Sequence, residues 1–214
     1  MTSARPEGRL RPPAAAPEAQ ATDDELTRRA RSGDPAAFEA LVVRYQDRVF
    51  RLARRLTGSS HDAEEVAQDT FLRVFRRLST FRGEARFSTW LYRIATNTAL
   101  MLRRGRARRK TESLEDYLPR FDRDGRHARN VDHGRASRAD EILDRDRLAR
   151  GAQAALKRLP DLYRTPFVLR DLEEMSTAEV ASVLSISADT VRQRVHRARL
   201  MLRGYLSHLV GVEP

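Results

Sequence analysis

A group of basic and amide side chains close to the C-terminus has the composition needed to read base pairs. Four apolar residues recur at i, i+4, i+7 and i+11 and form one helical stripe that must face a core: Val191, Val195, Ala198 and Leu202. This stripe turns a second set of side chains outward: Arg192, Gln193, His196, Arg199 and Arg203, with Arg197 at the flank. Arginine can bond guanine bidentately and glutamine can bond adenine, while further arginines hold phosphates. The pattern predicts a helix that enters the major groove of double-stranded DNA.

A second group of side chains, over residues 81–97, alternates aromatic rings with arginines. The aromatic residues are Phe81, Phe87, Trp90 and Tyr92, with Arg82 and Arg86 between them and Arg93 directly after them. Aromatic rings can stack on unpaired bases while arginines hold the sugar–phosphate backbone. Core packing explains Trp90 and Ile94 equally well, so both interpretations stay open at this point.

A third group lies on the helix predicted for residues 62–78. Its buried stripe is expected to hold Ala63, Val66, Ala67, Phe71, Val74, Phe75 and Leu78. The opposite side carries Glu65, Gln68, Asp69, Leu72, Arg73 and Arg76. An outward leucine among charged neighbours suits a protein-docking face with an apolar centre and a charged rim. An ordinary solvent-exposed helix fits the pattern equally well.

Turn and capping signals place the first group on a helix-turn-helix at residues 176–203. Ser176 and Glu179 form a capping box, and Ser187 caps the second helix after a turn at residues 185–187. A short helix, a tight turn and a long basic helix make up this motif. A plain helical hairpin with a basic face is the alternative. Upstream, Pro166 predicts a kink or a break in its helix.

The rest of the chain also has helical signals, so we predict an all-α fold. Thr22 begins the first helix, which ends at Gly33, and Asp34 begins the second, which ends at Gly58. Ser60 is expected to cap the third helix and Ser88 the fourth. Two small helical domains are predicted at residues 22–108 and 140–211. A disordered tail at 1–21 and a flexible linker at 109–139 are expected, although a structured loop over a partner could replace the linker.

Charge in this 214-residue chain is concentrated rather than spread. The net charge is +11, and residues 103–110 and 187–204 together carry +10 of it. Two focused basic patches favour a polyanionic partner, most often a nucleic acid. The alternative is a pair of solvated helix faces.

Several classes of function are not expected. The chain has no cysteine, no apolar leader and no apolar run long enough to span a membrane, which predicts a cytoplasmic protein. It has no phosphate-binding glycine loop and no zinc-protease motif, and His127 and His133 lack ligand spacing, so we predict no enzyme, metal or cofactor. A transcription regulator that binds DNA through residues 176–203 and senses or dimerises through its N-terminal domain is the competing interpretation.

Three segments together resemble the extracytoplasmic-function group of the sigma-70 family, the two-domain bacterial sigma factors. They are DAEEVAQDTFLRVFRRL (62–78), FRGEARFSTWLYRIATN (81–97) and LPDLYRTPFVLRDLEEMSTAEVASVLSISADTVRQRVHRARLMLR (159–203). The resemblance implies a region 2-like domain, a linker and a region 4-like domain. The implied function is to bind core RNA polymerase, recognise the −35 and −10 promoter elements and promote strand opening.

The resemblance also implies partners and residue roles. The β′ clamp helices of core polymerase would be bound by Asp62, Glu65, Gln68, Asp69, Leu72 and Arg73. The −10 element would be bound and melted by Phe81, Arg82, Phe87, Trp90, Arg93, Asn97, Arg103 and Arg104, with both phenylalanines in the loop that captures a flipped base. At the −35 element, Arg192, Gln193, His196 and Arg197 would face bases, and Arg170, Thr177, Thr190, Arg194 and Arg199 would face phosphates. The polymerase β flap and an anti-sigma factor are the other implied partners.

Overall fold

The computed structural model describes residues 21–112 and 149–210, and every regular element in these two ranges is helical. We call residues 21–112 the N-terminal half and residues 149–210 the C-terminal half. The predicted tail at 1–21, apart from residue 21, lies outside the described residues, as does the linker beyond residue 112.

The N-terminal half contains four α-helices and one 3₁₀ turn. They are α1 (Asp23–Arg31), α2 (Pro35–Thr57), α3 (Ser60–Arg77), the 3₁₀ turn (Leu78–Thr80) and α4 (Phe87–Glu112). The predicted caps Thr22 and Asp34 accept hydrogen bonds from backbone amides of their first turns. Gly58 ends α2 with φ of 77°, the left-handed conformation that glycine adopts without steric cost.

Two helix starts differ from the prediction, that of α3 by one residue and that of α4 by two. The Asp62 amide donates to Ser59 Oγ at 3.3 Å, so Ser59 rather than Ser60 caps α3. The Trp90 amide donates to the Arg86 carbonyl at 3.2 Å, which places Ser88 inside the first turn of α4. At its other end α4 continues to Glu112, so the predicted linker start at residue 109 falls within this helix.

The C-terminal half also consists of helices. Residues 149–158 are helical and are called α5; then come α6 (Asp161–Phe167), a π-helical turn (Val168–Leu172), α7 (Thr177–Leu184) and α8 (Ala188–Val210). Pro166 lies inside α6 and lacks an amide hydrogen, and the α-helical pattern gives way at Val168, two residues later. The irregularity expected at Pro166 therefore follows it closely.

One cluster of buried side chains runs through both halves. In the N-terminal half it includes Leu41, Leu52 and Leu91, and in the C-terminal half it includes Leu159 and Val195. The predicted all-α fold is confirmed, with helices α2, α3 and α4 packed on one another and α6 and α7 packed on α8. The two helical units also contact each other, chiefly between α4 and α7 and between α2 and the π turn.

Of the seven residues expected in the buried stripe of α3, four are buried, Ala67 and Phe71 are half-buried, and Phe75 is exposed. Ala63, Val66, Val74 and Leu78 are buried, whereas Phe75 is 65% exposed. Phe75 lies three residues after Leu72, so it shares the outward side of α3. Its ring meets the edge of Phe38 from α2, with ring centroids 5.2 Å apart, instead of entering the core.

Candidate nucleic-acid interface

The helix-turn-helix predicted at residues 176–203 is present. The Glu179 amide donates to Ser176 Oγ at 3.2 Å, and the Ser176 amide donates to Glu179 Oε2 at 2.8 Å, which completes the capping box of α7. Ser176 Oγ also donates to Glu179 Oε2 at 2.7 Å, and this bond, with the one from the Ser176 amide, lowers the pKa of the Glu179 carboxyl. Ser185 takes a left-handed conformation at the turn, and Ser187 Oγ accepts from the Thr190 amide at 3.1 Å to begin α8. These local hydrogen bonds thus fix where α7 begins and where α8 starts after the turn.

The outward face of α8 carries the residues expected to face bases. Val191, Val195 and Ala198 are buried against the rest of the molecule. Because these three residues face the core, the side chains on the opposite face of α8 are exposed to solvent: Arg192, Gln193, His196, Arg197 and Arg199. Arg194 is half-buried at the edge of this face. The arrangement offers guanidinium and amide donors on one open helical surface.

Three of the five residues expected to face phosphates, Arg170, Thr177 and Arg199, border one open cavity of about 320 Å³. Its polar lining comes from Arg170, Thr177, Arg192, His196 and Arg199. Arg170 and Thr177 come from the elements before α8, so the cavity lies where three elements meet. Thr190 lies nearby in the first turn of α8, half-buried, and its hydroxyl contacts Ser187 Oγ at 2.8 Å.

Two aspartates bind arginines of this face, and neither was predicted from the sequence. The Asp171 carboxylate accepts two hydrogen bonds from the Arg199 guanidinium, with Nε–Oδ2 and Nη2–Oδ1 distances of 2.8 Å. The hydrogen bonds that Arg199 donates to this carboxylate raise the pKa of the Arg199 guanidinium. Asp189 pairs with Arg192. The i, i+3 spacing of Asp189 and Arg192 on one helix could have predicted their ion pair from the sequence. Asp171 and Arg199 lie 28 residues apart, so helical spacing could not predict that pair.

The aromatic residues expected at the −10 element form a packed cluster. Phe81 is 8% exposed and Phe87 is 2% exposed. The centroid of Trp90 lies 5.0 Å from that of Phe81 and 6.1 Å from that of Phe87, and Tyr45 closes the cluster at 5.6 Å from Phe87. Core packing, the alternative given for Trp90 and Ile94, also describes both phenylalanines in this structure, with Ile94 buried and Trp90 half-buried. A base could reach either phenylalanine only after the loop moved.

The polar residues of the same segment divide into two sets. Arg82, Asn97 and Arg104 are exposed. Arg93 and Arg103 are instead held by the C-terminal half: Arg93 Nη2 donates to the Ser182 carbonyl at 2.7 Å and to Ser182 Oγ at 2.8 Å. Arg103 pairs with Asp161 and donates to the Leu56 carbonyl at 3.2 Å. The structure therefore does not bring all of these residues onto one open face.

The outward side of α3 combines exposed apolar and polar groups. Leu72 is 54% exposed beside the exposed Phe75, and Gln68 and Glu65 are also exposed. Arg73 Nε lies 2.9 Å from Asp69 Oδ2. Phe75 and its neighbour Phe38 were missed as members of this surface because a helical phenylalanine is more often buried.

Asp62 does not lie on this open surface, contrary to its expected role in docking. Its side chain is 8% exposed, and its Oδ1 lies 2.5 Å from Nη1 of Arg106 on α4. The same guanidinium reaches Glu65 Oε2 at 3.3 Å through Nη2. Asp62 therefore joins α3 to the basic stretch at the end of α4.

Residues 21–112 and 149–210 contain no group of three or more acidic, histidine or cysteine side chains placed to hold a metal ion. The same ranges contain no helix long and apolar enough to cross a membrane.

Comparison with known proteins assigns both halves to one family. The Sigma-70 region 2 model matches residues 41–109, and the Sigma-70 region 4 model matches residues 150–202. The ECF RNA polymerase sigma-E factor of Haemophilus influenzae is 36% identical over 193 residues, which are 89% of this chain and 98% of that protein. The chain belongs to the ECF sigma factors of the sigma-70 family.

Other members of the family are also similar to this chain in sequence or in structure. ECF RNA polymerase sigma factor SigE of Mycolicibacterium smegmatis is 40% identical over 82% of this chain, and the match spans 65% of that longer relative. Among solved structures, CnrH in complex with the cytosolic domain of CnrY has a TM-score of 0.59 and 28% identity, covering 87% of this chain and 97% of CnrH. This ECF sigma factor therefore shares its architecture with CnrH, whose structure was solved in complex with another protein.

Proposed function

We propose that this ECF sigma factor is the promoter-specificity subunit of bacterial RNA polymerase, without catalytic chemistry of its own. It binds core polymerase, recognises the −35 and −10 elements and promotes strand opening. The observation that supports this proposal is that one chain contains region 2 followed by region 4 of the sigma-70 family. Each region has an exposed surface suited to the binding role proposed for it. Since polymerase works in the cytoplasm, we place the protein there.

The −35 element is assigned to the C-terminal domain, residues 140–211. Exposure on α8 supports base contacts by Arg192, Gln193, His196 and Arg197. The cavity beside α8 supports phosphate contacts by Arg170, Thr177 and Arg199. Thr190 and Arg194 border the same surface and complete the phosphate set.

The −10 element and core polymerase are assigned to residues 22–108. Arg82, Asn97 and Arg104 are exposed and accessible for DNA, and Trp90 is half-buried. Phe81, Phe87, Arg93 and Arg103 become available once their present contacts are released. For core polymerase, Leu72 and Phe75 supply the apolar centre of the α3 face. Its polar rim consists of Glu65, Gln68, Asp69 and Arg73, with Asp62 as a support beneath it.

The partners follow from the same assignment. Core polymerase is bound through its β′ clamp helices and its β flap, and promoter DNA is bound through both domains. An anti-sigma factor is proposed because CnrH is solved in complex with the cytosolic domain of CnrY.

Run-off transcription tests the proposal directly. Core polymerase lacking sigma is mixed with the full chain and a library of genomic promoter fragments from the source bacterium. Discrete transcripts that require the chain are the expected result. Duplex binding by the chain together with no retention on immobilised core polymerase would instead identify a plain DNA-binding regulator.

A further inference from the structure

We propose that Asp189 determines part of the base preference of α8: its carboxylate accepts a hydrogen bond from the N4 amino group of a cytosine, in the base pair next to the one that Arg192 binds. This inference deepens the proposed function and rests on it, because it takes α8 as the helix that reads the −35 element. Asp189 is the only acidic residue between positions 187 and 204. It is therefore the one acceptor-only side chain on a helix whose other charged residues are basic.

Asp189 lies in the first turn of α8, on the side that faces away from the core. It precedes Arg192 by three residues, Gln193 by four and His196 by seven, a spacing that places all four side chains on one face of the helix. The buried residue Val191 lies on the opposite side. In a helix-turn-helix, the N-terminal residues of the second helix contact base edges. Asp189 therefore lies at the end of α8 where base contacts are expected.

The two carboxylates near this face differ in exposure. The Asp171 side chain is 17% exposed, and both of its oxygens accept hydrogen bonds from Arg199. The Asp189 side chain is 78% exposed and pairs with Arg192 through Oδ1 alone. No hydrogen bond within the described residues reaches its Oδ2. Asp171 is therefore committed to an arginine, whereas Asp189 has an oxygen that a DNA base can reach.

Asp189 is also separate from the side chains proposed to hold phosphates. The cavity of about 320 Å³ beside α8 is lined by Arg170, Thr177 and Arg199, together with Arg192, and Asp189 does not border it. Because a carboxylate repels phosphate, an acid is compatible with DNA binding only where the helix faces bases rather than the backbone. The location of Asp189 outside the cavity meets that condition.

The chemistry of a carboxylate ranks the four bases. An ionised carboxylate only accepts hydrogen bonds. In the major groove cytosine presents an amino donor, and adenine presents an amino donor beside the acceptor N7. Guanine presents two acceptors, and thymine presents one acceptor and a methyl group. Asp189 should therefore favour cytosine, accept adenine less well, and reject guanine and thymine through repulsion between acceptors.

The ion pair with Arg192 places this acceptor beside a fork of donors. An arginine has five N–H donors, so Arg192 can bind a guanine while one donor remains on Asp189. Three residues of helix span about 4.5 Å along the axis, which is close to the step of about 3.4 Å between base pairs. The two side chains therefore suit neighbouring base pairs, and the shared hydrogen bond reduces the cost of bringing a carboxylate to DNA.

Base selection tests the assignment. Core polymerase is assembled with the full chain and mixed with a duplex library, built on a promoter found by run-off transcription, whose −35 element is randomised; the retained duplexes are sequenced. The natural chain should select a cytosine beside a guanine. Asp189→Asn should shift that one position towards adenine, because an asparagine amide bonds N6 and N7 of adenine together. The ratio of cytosine to adenine there should fall at least about fivefold, the lower end for one base contact.

Asp171→Asn is the matched control, because it removes the same charge from the same surface. It should raise retention of all duplexes and leave the order of base preference unchanged. An aspartate in a first turn also stabilises its helix through the helix dipole, and that effect is the same for every DNA sequence. Unchanged preference in Asp189→Asn, an equal shift in Asp171→Asn, or a uniform loss of preference at every position would each overturn the role of Asp189.

Arg192→Ala gives a second measurement with the same library. If Arg192 orients the carboxylate, this variant should lose preference both for its own guanine and for the neighbouring cytosine, whereas Asp189→Asn should change only the cytosine position. Arg197→Ala, at the flank of the same helix, should leave the cytosine preference intact. An undiminished cytosine preference in Arg192→Ala would show that the ion pair does not position Asp189.

The outcomes separate this inference from the proposed function. A natural chain that directs transcription, and whose base preference Asp189→Asn does not change, keeps the proposed function and refutes only the role of Asp189. A natural chain that directs no transcription with core polymerase refutes the proposed function. The library is then offered to the full chain without polymerase, and the same shift from cytosine to adenine is required of Asp189→Asn.

Discussion

Arg199 and Asp171 form a bidentate pair, with two nitrogen–oxygen distances of 2.8 Å, on the surface proposed to bind phosphates. The carboxylate neutralises one of the cations that would otherwise face DNA. The pair therefore limits how strongly the C-terminal half attracts any duplex, whatever its sequence.

Asp171→Asn should strengthen binding to duplex DNA of arbitrary sequence. Removing the negative charge frees one cation for phosphate, which should steepen the plot of log affinity against log salt by about 0.9. Fluorescence anisotropy of the full chain with a labelled duplex at several salt concentrations measures both effects. Asp47→Asn removes the same charge from an exposed position on α2 and should change neither. An unchanged slope in Asp171→Asn would show that Arg199 does not contact phosphate.

Arg192→Ala and Arg197→Ala should each reduce selectivity for the −35 element. Loss of one base contact costs roughly 1–3 kcal/mol of discrimination. The measurement compares affinity for a promoter found by run-off transcription with affinity for the same duplex carrying a scrambled −35 element. A loss of equal size on both duplexes would contradict direct readout by these two arginines.

Leu72→Asp should weaken binding to core polymerase while the chain stays folded. Leu72 is 54% exposed, so the carboxylate costs little in the free chain, but it would be desolvated in the complex. A central interface residue contributes about 2 kcal/mol, which is about a 30-fold change in Kd. Val43→Asp, at a 63% exposed position on α2, is the matched control. An unfolded Leu72→Asp chain, or equal binding by both variants, would refute the docking face.

Gly58→Ala and Gly33→Ala should destabilise the chain by similar amounts. Both glycines have positive φ, so both alanines incur roughly 1–2 kcal/mol of backbone strain. A Cβ at Gly33 meets open space, and one at Gly58 would lie 2.6 Å from Cε of Lys157, the end of an exposed and flexible side chain that can move aside. Urea unfolding measures the two variants. A much larger loss in Gly58→Ala that Lys157→Ala recovers would show instead that Lys157 is held firmly against Gly58.

Glu173→Gln should become progressively more stable than the natural chain as the pH rises above about 4.5, the ordinary pKa of a glutamate side chain. Burial raises the pKa of Glu173 in spite of Arg55, Arg51 and Arg48, which lower it, and Tyr92 also faces this carboxyl. The folded state therefore holds the proton more tightly than the unfolded state, and ionisation costs stability above the raised pKa. Urea unfolding across the pH range measures the difference, and a constant difference would show that Glu173 is not buried in solution.

Local structure was predictable where the signal lies within one turn of helix. The caps Thr22, Asp34 and Ser176 depend on side chains bonding amides two or three residues away, and the sequence shows both partners. The exposure of Phe75 was not predictable, because a helical period does not say how wide a buried stripe is. The contact of Arg93 with Ser182 joins residues 89 positions apart. Such pairs depend on how the two halves pack, and helical periodicity carries no information about that.

The exposed ring of Phe75, which packs on the half-buried Phe38, has a consequence for how long this protein survives in the cell. Solvent-accessible aromatic rings are what chaperones and quality-control proteases select, since apolar exposure normally signals an unfolded chain. Core polymerase would cover these rings, and the free chain would display them. We therefore expect the abundance of this sigma factor to follow the supply of polymerase: surplus molecules are degraded, and those engaged in transcription persist.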